Sequence, residues 1–95
     1  MRILIGLFTA KGEVSDPSYD RQWCEFDLRG EHIVNTHEVA FPSPSRAWGE
    51  ITAWTGMTEK GTILFAGPLT HKQSPGPGDQ VYFGPGAAGV TLLAV

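Results

Sequence analysis

The chain has 95 residues, 41% of them apolar, and a formal net charge of −3. This is one domain's worth of chain, with enough apolar content to exclude disorder. No cluster of Lys or Arg occurs anywhere, so the acidic balance argues against binding nucleic acid by phosphate neutralisation.

Twelve glycines and seven prolines cut the sequence into short runs, and no run carries apolar residues at helical spacing over three turns. Arg2 to Ala10 is apolar on both faces and predicts a buried strand. It is too short to span a bilayer and lacks both a basic leader of any length and a small-residue cleavage site. Neither a membrane anchor nor a signal peptide is therefore expected. Lys11 to Ser18 reads as a loop. Asp20 to Leu28 alternates, with Cys24, Phe26 and Leu28 on one side and Arg21, Trp23, Glu25 and Asp27 on the other. Arg29-Gly30-Glu31 predicts a turn, and His37 to Phe41 a strand closed by Pro42-Ser43-Pro44-Ser45. Ala47 to Met57 predicts a strand bearing two tryptophans, and Thr58 to Gly61 a turn. Thr62 to Thr70 predicts a long strand broken at Gly67-Pro68, where a bulge or an edge position is expected. Ser74 to Gly78 is a Pro/Gly loop, Gln80 to Phe83 a short strand, Gly84-Pro85-Gly86 a further turn and Gly89 to Val95 a last apolar strand. About seven strands at roughly ten-residue spacing predict an all-β fold, a single small β-sandwich or jelly-roll-like barrel over residues 1–95. Strand-like sequence at both ends predicts a compact block without arms.

The motifs that suggest chemistry each lack a necessary part. Gly84-Pro85-Gly86-Ala87-Ala88-Gly89 spells G-x-G-x-x-G, but a dinucleotide site needs a helix there, and Val90-Thr91-Leu92-Leu93 prefers strand. A hairpin loop is the plainer reading. His32, His37 and Glu38 are close in sequence but fall short of a zinc ligand set. Asp16 and Asp20 lack the glycine-kinked, oxygen-rich loop of a calcium site and read as solvated charges. Cys24 is the only cysteine, which excludes an intrachain disulfide and fits assembly inside a cell; its alternation with Phe26 makes it a small core residue. No serine lies in a G-x-S-x-G elbow. The sequence therefore predicts no enzyme and no cofactor.

Three tryptophans remain as candidate contact residues. Trp23 lies opposite Cys24 and Phe26, with Arg21 and Glu25 as neighbours, which places all three on an outward surface. Trp48 and Trp54 share a face with Glu50 and Thr52 if their strand is unbroken, and that face is either core or interface. Trp and Arg dominate interface hot spots, so Arg21, Trp23, Glu25, Trp48 and Trp54 form the candidate protein-contact set.

The order of segments carries more than any one residue. Leu7-Phe8-Thr9-Ala10 precedes Tyr19-Asp20-Arg21-Gln22, then Asn35-Thr36, Val39-Ala40-Phe41-Pro42 and Trp48-Gly49. Leu64 to Gly67 with Leu69-Thr70, Gly78-Asp79-Gln80 and Val90-Thr91-Leu92 follow. Over nearly the whole chain this resembles a family of small tailed-bacteriophage virion proteins, labelled tail-fibre or head-decoration proteins. The resemblance implies a β-sandwich virion component, trimeric, without catalytic residues, and made in the host cytoplasm. The main expectation is a capsid decoration (cement) protein on the outer head surface, with the major capsid protein and copies of itself as partners. The alternatives are a tail-fibre or tail-tip component contacting the host surface, or a small carbohydrate-binding module.

Overall fold

The computed structural model describes residues 2–86 and 89–91, and among these every regular element is a strand. In chain order they are β1 (Arg2–Thr9), β2 (Gly12–Glu13), β3 (Gln22–Arg29), β4 (His32–Asn35), β5 (Val39–Ala40), β6 (Ile51–Met57), β7 (Ile63–Gln73), β8 (Tyr82–Phe83) and β9 (Gly89–Thr91). One antiparallel sheet of seven strands runs β7-β6-β1-β3-β4-β9, with β2 added to the end of β1; β5 and β8 form a second sheet of two. The large sheet curls into a half-barrel, so that β7 and β9, its two outer strands, approach each other. The all-β expectation of about seven strands holds.

β1 lies at the centre of the sheet because both of its faces are apolar. Ile3, Ile5 and Leu7 point into the half-barrel, where they meet Cys24 and Phe26 of β3, Ile33 of β4 and Trp54 of β6. Phe26, Trp54 and Phe65 form a mutually packed aromatic triplet with ring centroids 5.7–6.0 Å apart. The small sheet covers the opening: Val39 and Phe83, with the flanking Phe41 and Val81, belong to the same core. The Phe41 amide donates to the Val81 carbonyl at 3.0 Å and extends that pairing by one residue.

Several boundaries differ from expectation for identifiable reasons. The Ala47 to Met57 run begins pairing only at Ile51, because Gly49 adopts φ +89°, a conformation that ends an extended segment. His32–Asn35, assigned to no element by the sequence, is a strand that pairs with both β3 and β9, and of the strand expected over His37 to Phe41 only Val39–Ala40 forms. Leu28, expected inward with Cys24 and Phe26, is 54% exposed at the hairpin end of β3, although its register partner Ile33 is in the core. The irregularity expected near Gly67-Pro68 is present. Ala53 pairs with Pro68 but Ile51 with Gln73, so two residues of β6 face five of β7, on a strand at the sheet's edge. The same irregularity lets Ile51 reach the core although it lies three residues from Trp54. Of the last predicted strand, residues 92–95 fall outside the described residues, as do Ala87 and Ala88 of the glycine motif. Gly89 opens a strand and no helix, which removes the dinucleotide reading.

Gly56 faces the core, and a Cβ there would stand 2.5 Å from Phe65 Cζ and 3.0 Å from Ile3 Cγ2. The Phe65 ring packs against Phe26 and Trp54, so making room means breaking those contacts. Gly56→Ala is therefore expected to destabilise the fold by about 1–3 kcal/mol, the usual range for overpacking. Denaturant titration of the two proteins reads this directly as a fall in the midpoint.

Candidate protein interface

The loop before β3 determines which aromatic groups remain at the surface. Asp16 Oδ1 accepts the Ser18 amide at 2.9 Å and the Ser18 hydroxyl at 2.6 Å, while Oδ2 accepts from Arg46 Nε. The Asp16 side chain is only 5% exposed, so it is not the solvated charge expected of it. The Ser18 hydroxyl and the Arg46 guanidinium together hold its carboxyl well below the usual range. Ser18 Oγ in turn accepts the Ser45 amide at 3.1 Å and the Trp48 indole N–H at 3.0 Å. Trp48 is thereby drawn inward, its ring edge-on to Tyr19 at 5.5 Å. It is 7% exposed and Trp54 is 2% exposed. Both belong to the core, so neither presents a ring to a partner, and the candidate set loses them. Sequence reasoning missed Ser18, Asp16 and Arg46 because their contacts span up to 30 positions.

Trp23 takes the orientation that alternation predicts. It is 41% exposed, on the outer face of β3. Arg2 lies over its ring, 4.8 Å from the centroid. Arg21 is exposed on the same face, but its guanidinium is engaged within the chain: Nη2 reaches Glu13 Oε1 at 2.7 Å and Nε reaches Oε2 at 2.8 Å. That two-pronged pair leads the effects that lower the Glu13 carboxyl below its ordinary value, opposed by partial burial. The Tyr19 hydroxyl also donates to Glu13 Oε2, at 2.7 Å. Glu25 is half-buried beside Arg2 in the strand register.

The outer face carries an apolar row that the sequence did not disclose. Leu4 pairs with Trp23 on one side and with Met57 on the other. Leu4 and Met57 are buried, Trp23 and Leu64 are exposed, and Trp23, Met57 and Leu64 line one shallow groove with Arg2 and Glu59 at its rim. The floor is apolar, the two walls stand proud, and the rim carries one charge of each sign. The several exposed tryptophans expected of a carbohydrate-binding module reduce to one, since Trp23 alone of the three is at the surface. Cys24 is buried, and burial pushes its thiol up, as for a core residue. Among the described residues no three His, Cys, Asp or Glu side chains gather as a metal site requires, and no helix is long and apolar enough to cross a membrane.

Comparison with known proteins adds identity to this geometry. A family model described as "Podophage GP4 fiber I protein gp80" matches residues 6–91. The description names a fiber, so it supports the tail-fibre alternative over capsid decoration. A 60-residue segment is 35% identical to an allantoinase of Saccharomyces cerevisiae, covering 63% of this chain and 12% of that enzyme. No solved structure matches the chain.

Two outcomes follow from these contacts. Trp54→Ala is expected to cost about 3–5 kcal/mol of stability, whereas Trp23→Ala removes a ring that is 41% exposed and costs about 1 kcal/mol, the worth of an exposed cation–π contact; thermal unfolding of both variants separates them. The lowered carboxyl of Glu13 adds stability that is fully present above the ordinary glutamate value of 4.5 and is lost as pH falls through its lower folded value. Glu13→Gln should therefore reduce the midpoint at neutral pH and flatten its decline in acid. An unchanged acid slope would show that the Glu13–Arg21 pair contributes nothing.

Proposed function

This chain belongs to the podophage GP4 fiber I protein gp80 family, and on that premise we propose that it is a structural component of a virion fibre, displayed toward the host surface. The family match over residues 6–91 carries the reading, because it spans nearly all of the described fold. The physical character of the chain agrees with a building block. Its core closes on itself, its loops are tied to the core by side-chain hydrogen bonds, and its outer sheet face presents an apolar groove. Its partners are other fibre chains; the expectation of the major capsid protein as partner has no observation behind it.

Gold-labelled antibody against the chain, applied to purified particles and viewed by electron microscopy, tests this placement. Label along the fibres is the expected result. Label distributed over the head shell would overturn the reading in favour of capsid decoration.

A further inference from the structure

We infer that the outer face of the sheet pairs with the same face of a second copy of the chain, about a two-fold axis parallel to β1. This goes beyond membership of a fibre and does not depend on it, since it concerns the chain in solution.

The face is built from four neighbouring strands in the order β3, β1, β6, β7. Across it the register runs Trp23, Leu4, Met57 and Ile63, with Leu4 and Met57 buried; Leu64, at the irregularity beside Ile63, is exposed and lines the groove with Trp23 and Met57. One wall of the groove is therefore aromatic and the other aliphatic. Continuing the Leu4–Met57 pairing two residues outward brings Arg2 level with Glu59, in the turn after β6. Arg2 stands on the Trp23 side, with its guanidinium against that ring. Glu59 stands on the side toward β7, and both border the groove.

This arrangement is complementary to itself. Rotation by 180° about an axis along the strands turns the face over and exchanges its left and right sides. Trp23 then lies over the second copy's Leu64, and Arg2 over the second copy's Glu59, each contact made twice. The cation meets an anion and the wide wall meets the narrow one. No other two-fold within the face does this: an axis across the strands would put Trp23 over Trp23 and separate the charges. Arg21 takes no part, because Glu13 already holds it. The second copy is thus preferred over an unrelated partner on charge order alone.

The test uses charge reversal. Sedimentation velocity of the purified wild-type chain over a dilution series should show a monomer–dimer equilibrium. Trp23→Ala should weaken it by about thirtyfold or more, as truncation of a central aromatic anchor does. Arg2→Glu and Glu59→Arg should each remain monomeric, since each places like charges together twice. Mixing the two single variants should restore a dimer, because a heterodimer then has an opposite pair at both contacts. A folding defect cannot be rescued by mixing, and circular dichroism of each variant confirms the fold independently. A wild-type protein that stays monomeric at every concentration would overturn the inference. So would an oligomer of any size that tolerates both reversals, or a mixture that fails to associate.

Discussion

The rest of the structure depends on the hydroxyl of Tyr19. β1 pairs with β6 as far as Phe8, but on its other side β3 pairs only as far as Ile5. The Leu7 amide would face that gap without a partner, at a cost of roughly 1–3 kcal/mol if left buried and unbonded. It donates instead to the Tyr19 oxygen at 2.9 Å, and the Tyr19 proton goes on to Glu13. The ring below the hydroxyl stacks on Phe41 at 6.2 Å and receives the edge of Trp48. One side chain therefore completes the central strand's hydrogen bonding and joins the large sheet to the small one. Burial and the donation to Glu13 push its phenol far above the ordinary tyrosine value, so it stays protonated and keeps both roles.

Its neighbour Ser18 performs the complementary task for the loop between β5 and β6. A buried indole N–H needs an acceptor, and Ser18 Oγ supplies one to Trp48 while passing its own proton to Asp16. The consequence reaches the surface. With Trp48 sealed inside and Glu13 drawn to Tyr19, Arg21 is captured by Glu13, and Arg2 is the cation left beside Trp23. The composition of the contact face is set by which polar groups the core has already claimed.

Much of this was legible in the sequence, and the failures share a cause. β1 and β3 were readable because apolar runs and strict alternation are local signals; the outward turn of Trp23 follows from Cys24 and Phe26 alone. The edge position at Gly67-Pro68 was readable because proline cannot donate to an inner ladder. Leu28 failed because alternation says which face a residue takes, not whether the core extends beneath it. Trp48, left open between core and interface, could not be settled locally, because the positive φ of Gly49 separates it from the strand that begins at Ile51 and its burial depends on Ser18, thirty residues earlier. The groove was invisible for the same reason. Trp23, Leu4, Met57 and Leu64 come from four strands; the register aligns the first three, and the irregularity in the β6–β7 pairing brings Leu64 beside them.

That row also explains why the central strand is apolar on both sides. A half-barrel needs only its concave face for a core, and Ile3, Ile5 and Leu7 provide it. Leu4 on the convex face adds nothing to that core, and a polar residue there would serve a chain that acts alone. Leu4 and Met57 are buried between Trp23 and Leu64, which are themselves half in water. Each layer of apolar cover exposes another, and among the described residues no further element closes the series. An external surface can close it, so for this chain the free energy of association and the free energy of folding draw on the same side chains.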